Sequence, residues 1–349
     1  MSDLPEKSRS AILVALRKPL QVVEIGLPQS LDVGQVLVRV LYSGICGSQL
    51  GEIDGAKGED KYLPHLLGHE ASASVLAVGP GVRQVKQGDL VVLHWRKGLG
   101  IEAAPPVYHW DGQRVNAGWV TTFNEYAVVS ENRCTAIPPG TDPEVAALFG
   151  CAVTTGFGVV ENNAKVRMGE SVVVFGSGGV GLNIVQGAAM VSAWPVIALD
   201  RFDNRLQLAR EVGATHTVNS LKEDPEGAIR QIVGGGVDHF IDNTGNPDII
   251  ALGYRITKPQ GTVTLVGVPP TGKDLTIHSL PLHFGKTLSG SHGGECFPSG
   301  DIPRYLNLYQ QGKIHLKELI TNYYTLGEIN TAIEDMKSGR ADGRVLIKL

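Results

Sequence analysis

The rhythm of hydrophobic and polar positions changes near Leu148 in this 349-residue chain. Before that point, short apolar runs such as VLVRVLYSGICG, EASASVLAVG, GDLVVLH and FNEYAVV follow one another with glycine between them. Alternation without long helical periods predicts an antiparallel, barrel-like β domain. After Leu148, ESVVVFG is followed by GVGLNIVQGAAMVSA with helical character, then by PVIALD as a buried-type strand and NRLQLAREVGA as an amphipathic helix. The alternation continues through VDHFIDN and GTVTLVG, the pattern of a parallel sheet wound by right-handed crossovers. The last stretch, DIPRYLNLYQQGKI, LGEINTAIEDMKSGR and RVLIKL, predicts two helices and a strand free to return to the first domain. A chain of this length is expected to form two cores.

Composition narrows the function classes. Lys plus Arg number 31 against 35 for Asp plus Glu, a net charge of -4, and no basic run offers a nucleic-acid footprint. No apolar stretch approaches the roughly 20 residues that a membrane helix needs. The polar start MSDLPEKSRS lacks the apolar core of a secretory signal, so a cytoplasmic protein is expected. Its four cysteines, Cys46, Cys134, Cys151 and Cys296, are widely spaced, as reduced thiols serving as ligands or core residues would be.

The strand ESVVVF runs into Gly176-Ser177-Gly178-Gly179-Val180-Gly181, which opens a helix. Gly176, Gly178 and Gly181 fit the G-x-G-x-x-G turn: the first for the tight bend, the second for close approach of a pyrophosphate, the third for helix–strand packing. The helix N-terminus that follows presents free N–H groups to phosphate. PVIALD then ends in Asp200, where a carboxylate accepts from the adenosine ribose hydroxyls and opposes a 2'-phosphate. NAD is therefore expected over NADP, with Arg201 beside the acid as the residue that would admit the phosphate instead.

Three further residues stand out: Cys46 in GICGSQ, His69 in LLGHEASASVLAVG and Cys151 in LFGCAVTTGFG. Singly, each reads equally as a small buried group. Together with GHE, the GC before TTG, and GSGGVG in this order, they make the chain resemble the zinc-dependent alcohol dehydrogenases of the medium-chain family from about Gln35 onwards. The resemblance implies an α/β protein with a GroES-like β-barrel catalytic domain, 1–155 and 291–349, and a Rossmann doubly wound parallel-sheet cofactor domain, 156–290. It implies one catalytic Zn2+ held by Cys46, His69 and Cys151, with Glu70 nearby and Ser48 taking the alcohol proton. Thr155, Val180, Val268 and the backbone at His292 would face the nicotinamide, Arg205 the ribose and Arg344 the pyrophosphate, with Gly179 in the phosphate turn. Trp95 and Phe123 would line the substrate pocket, and the family habit implies a homodimer or homotetramer.

The sequence also departs from the family. The stretch WRKGLGIEAAPPVYHWDGQRVNAGWVTTF, where relatives often bind a structural zinc through four cysteines, has none. Gln49 stands where an acid commonly supports the histidine ligand, and Gly51 where a histidine passes the proton on, leaving His65 as an alternative route. Trp95, Trp110 and Trp119 gather in or beside that stretch with His94, Arg96, Lys97, Tyr108 and His109. They suit a polyhydroxylated or anionic carbonyl compound such as a sugar derivative, or else act as packing in the shortened lobe. The expected function is hydride transfer between a small-molecule alcohol or carbonyl and NAD(H). The competing readings are a zinc-free quinone or enone reductase and a non-catalytic NAD-binding sensor.

Overall fold

The computed structural model describes residues 4–349. The chain forms two compact units, one running to Cys151 and completed by Phe297–Leu349, the other Ala152–Cys296. The joins therefore fall a few residues from the 155/156 and 290/291 positions read from the sequence.

In the first unit the period-2 segments pair antiparallel. Gln35–Gly44 lies between Glu70–Val78 and the C-terminal strand Arg344–Lys348, and also pairs with Tyr126–Ser130. Alternate residues Val36, Val38, Val40, Ala71, Ala73, Val75, Val91 and Leu93 point inward and close one core. A second sheet contains Lys7–Leu13, Gln21–Gly26 and the hairpin Tyr108–Trp110/Gln113–Val115. The tail returns to this unit by two strands rather than one, because Ile320–Thr325 pairs parallel with Arg344–Lys348. ITNYYT, only partly buried, lacks the continuous apolar run that revealed the others.

The cysteine-free stretch holds its shape by apolar packing. Tyr108 and Val115, both fully buried, join Ile12, Ile25 and Leu66 in one cluster, and the Tyr108 hydroxyl accepts the Val128 N–H at 2.9 Å.

The second unit is a six-stranded parallel sheet, His216–Asn219, Val196–Asp200, Val172–Phe175, Val237–Asp242, Thr257–Leu265 and Thr287–Gly290 in spatial order. Numbered along the chain this is 3-2-1-4-5-6, the doubly wound order whose switch point lies beside the first strand. Val172–Phe175 is that strand, fully buried along its length, and the glycine turn leaves from its C-terminal end.

Candidate active site

Cys46 follows Gln35–Gly44 and caps the helix Gly47–Ile53, its N–H donating to Gln49 Oε1 at 3.2 Å. Gln49 thus closes the first turn and fixes the loop carrying the thiol. His69 directly precedes the strand Glu70–Val78. Cys151 is brought against that strand because Gly150 has no side chain: a Cβ there would lie 2.7 Å from Glu70 Cα and 2.3 Å from Leu93 O.

These turns converge. The ligand atoms of Cys46, His69, Glu70 and Cys151 all lie within 4.8 Å of one another. The two sulfurs are 4.0 Å apart, and neither is in a disulfide. His69 Nε2 is buried without a hydrogen-bond partner, which costs about 1–3 kcal/mol unless something binds it. A pair of sulfurs and one imidazole nitrogen is the donor set of a zinc site with an open position, so these residues fit the metal.

The two thiols are set apart electrostatically. Cys46 is held well below the usual thiol range, chiefly by the Cys151 thiol, and Cys151 is pushed well above it by the same contact. Burial works against charge on His69, but the Cys46 sulfur outweighs it and raises the imidazole. Burial pushes the Glu70 carboxyl up, and the Arg344 guanidinium opposes this through a buried hydrogen bond from Nη2 to Glu70 Oε1. Arg344, expected at the pyrophosphate, pairs with Glu70 through Nη2, while its Nε is buried without a hydrogen-bond partner. Pairing of Arg344–Lys348 with Gln35–Gly44 delivers its side chain there, and a fully buried carboxylate requires a partner.

A cavity of about 460 Å3 has His69 in its wall, with Gln49, Glu52, His65, Trp119 and Thr121. Ser48 is exposed in the first turn of Gly47–Ile53. Trp95 stands edge-on to His69, ring centroids 6.4 Å apart. Phe123, expected in the pocket, is a core residue: it is fully buried with Ala11, Leu13 and Leu67, and its carbonyl accepts the Ala11 N–H at 2.9 Å. Trp119, 45% exposed, lines the cavity together with Tyr62. The sequence shows its presence but not its direction. His94 is also structural, its Nδ1 donating to Arg96 O at 2.7 Å and its Nε2 accepting from Thr135 Oγ1 at 2.9 Å. Burial lowers its pKa to about 4.

In the second unit, Gly176 has φ 97°, and a Cβ on Gly181 would lie 1.9 Å from Gly176 O, so the turn closes only with glycine at both places. Gly178 caps the helix Gly179–Met190 with open space on its Cβ side, and Val180 sits in the first turn. Asp200, buried, accepts Ser177 N–H at 2.8 Å, Arg201 N–H at 2.8 Å and Phe202 N–H at 3.1 Å. A carboxylate has about four acceptor sites, which leaves one for a ribose hydroxyl. Arg205 Nη1 lies 3.9 Å from Asp200 Oδ2, whereas the Arg201 guanidinium packs over the Phe202 ring at 4.8 Å. Thr155 Oγ1 is buried without a partner. The His292 N–H donates to Glu295 Oε1 at 2.9 Å, and Val268 is 64% exposed. These turns and carboxylates fit a dinucleotide.

A buried thiol, thiol and imidazole cluster in a β unit, in one chain with a glycine turn at the switch point of a parallel sheet, defines a metal-dependent, dinucleotide-linked oxidoreductase. Residues 32–139 match the alcohol dehydrogenase GroES-like domain, and residues 179–311 match the zinc-binding dehydrogenase domain. The S-(hydroxymethyl)glutathione dehydrogenase of Synechocystis sp. is 32% identical over 96% of this chain and 98% of its own length. That of Haemophilus influenzae is 31% identical over 96% of each. Among solved structures, an alcohol dehydrogenase zinc-binding domain protein from Burkholderia ambifaria superposes with TM-score 0.90 at 30% identity, covering 98% of this chain and 99% of that one. Benzyl alcohol dehydrogenase from Acinetobacter calcoaceticus gives 0.88 at 29% identity over 99% and 100%. The chain belongs to the zinc-dependent medium-chain alcohol dehydrogenases. It is an NAD-dependent enzyme of that type, acting on a small-molecule substrate with zinc and NAD as cofactors. No helix among the described residues is long and apolar enough to cross a membrane.

Proposed function

We propose that this enzyme interconverts a primary alcohol and its aldehyde, with a single zinc held by Cys46, His69 and Cys151. The observation that carries this reading is the convergence of a His69 ring nitrogen and the Cys46 and Cys151 sulfurs within 4.8 Å of one another, with His69 Nε2 buried and without a hydrogen-bond partner. When bound, zinc polarises the substrate oxygen, and NAD supplies the hydride acceptor. The chain's own residues do the rest. The Glu70–Arg344 pair backs the cluster from its buried side, Ser48 offers an exposed hydroxyl to the departing proton, and Trp95 and Trp119 supply aromatic surface. Asp200, with Arg205, holds the adenosine ribose, and the 2'-phosphate of NADP would meet the carboxylate charge. Thr155 Oγ1 offers a hydroxyl to the nicotinamide amide.

The names of the relatives, S-(hydroxymethyl)glutathione dehydrogenase and benzyl alcohol dehydrogenase, both describe substrates with a CH2OH group, a hemithioacetal in the first and a primary alcohol in the second. Support for a sugar derivative is weaker, because Tyr108 and His94 of the aromatic and basic set are buried away from any substrate. A cytoplasmic homodimer or homotetramer accompanies this reading, tested by cell fractionation and light scattering; four cysteines outside any disulfide favour a reducing compartment.

The decisive experiment is a screen of primary alcohols, polyols and sugar derivatives followed by NADH absorbance, with metal analysis of the same unchelated protein. One zinc per chain and chelator-sensitive NADH formation are expected. Turnover undiminished after complete metal removal would return the chain to the zinc-free reductase reading.

A further inference from the structure

The cavity beside the metal cluster is uneven in charge. Its wall contains Glu52 and Asp60 but no lysine or arginine. Carboxylate oxygens of both acids lie within 4.8 Å of each other and of a ring nitrogen of His65. Asp60 has its partners inside this group: Oδ2 is 2.9 Å from His65 Nε2, and Oδ1 accepts the Tyr62 N–H at 2.8 Å. Glu52 is different. Its carboxylate makes no ion pair or side-chain hydrogen bond among the described residues, although it lines the same wall. An independent observation marks the cavity as built for a polar ligand. Thr121, 3% exposed and also in the wall, has a buried Oγ1 with no hydrogen-bond partner.

We propose that Glu52 is a specificity-determining residue that selects amine-bearing primary alcohols and disfavours those carrying an anionic group. An ammonium seated in the cavity would give Glu52 the partner it lacks, while a carboxylate there would face two acids with one histidine between them. By this argument S-(hydroxymethyl)glutathione, whose glutathione part is a net anion, is a poor substrate, although that is what the first relatives are named for. The proposal rests on the dehydrogenase reading above.

The test uses the zinc-loaded protein, NAD and three benzyl alcohols matched in size, bearing para-aminomethyl, para-methyl or para-carboxylate groups. At low salt, kcat/KM for the cation should exceed that for the anion by about tenfold or more, and the gap should narrow as salt screens the charges. Glu52→Gln should shrink the cation-to-anion ratio about tenfold, and Glu52→Asp, which keeps the charge, should preserve most of it. An anion handled as well as the cation, or a ratio untouched by Glu52→Gln, overturns the selection. Binding of the same compounds, followed by quenching of tryptophan fluorescence, separates the two readings. Charge-ordered binding without NADH would keep the selection and remove the dehydrogenase reading. NADH from all three compounds without charge order would do the reverse.

Discussion

At the scale of single residues, the chemistry depends on groups that cannot satisfy themselves. His69 Nε2 is buried without a hydrogen-bond partner beside the Cys46 and Cys151 sulfurs, which lie 4.0 Å apart. Replacing Cys151 with Ser substitutes a harder, less readily ionised oxygen for a thiolate. Zinc content should fall from about one per chain to less than about a tenth, with alcohol oxidation lost, while NADH binding persists because the glycine turn and Asp200 belong to the other unit. Metal analysis and NADH fluorescence titration read the two outcomes separately. His94 makes a prediction about stability. Its folded pKa is about 4 against an ordinary 6.5, so the unfolded chain takes up this proton first as the solution is acidified. The associated stability is complete above pH 6.5, declines as pH falls, and is exhausted near pH 4, a loss of about 3 kcal/mol. Urea midpoints across this range should show the decline, and His94→Asn should flatten it.

At the scale of elements, the turn between Val172–Phe175 and Gly179–Met190 is the one proposed to seat the coenzyme. Its geometry is set by the contact between the Gly181 α-carbon region and Gly176 O, where a methyl group would come to 1.9 Å. Gly181→Ala should therefore displace the turn and weaken NADH binding about tenfold or more, with zinc content unchanged. Unaltered affinity would mean that the turn can move without cost. The helix Gly47–Ile53 plays the matching part in the other unit, since Gln49 fixes its start and Glu52 looks into the cavity from its last turn.

At the scale of the whole molecule, the residues proposed for the metal and those proposed for the adenosine end of the coenzyme belong to different units. The metal cluster joins distant parts of the chain, because Cys46, His69 and Cys151 come from the first segment and Arg344 from the last, all within the unit closed by Phe297–Leu349. Hydrogen exchange should separate the two ligands. Chelation should speed exchange in Gln35–Gly44 and Glu70–Val78, whereas NADH should protect Val172–Phe175 and Val196–Asp200. Uniform protection by either ligand across both units would contradict this division.

The sequence by itself determined much of this protein. Period-2 runs, buried strand–helix alternation and the six-residue glycine turn are local signals, because strand pleat, helix pitch and φ > 0 are properties of a few adjacent residues. The three residues proposed to hold the metal were legible as candidates too, through the motifs surrounding each, and they do converge. What tertiary structure decided was direction and partnership. Arg344 went to Glu70 because a parallel neighbour and an antiparallel neighbour place the C-terminal strand beside the Cys46 loop. Phe123 went into the core and Trp119 into the cavity wall, although only four positions separate them. Glu52, Asp60 and His65 became one group across a loop that no periodicity describes. Such facts depend on which long-range contacts bury a side chain and which leave it facing the cavity, and these are settled only when the sheets close.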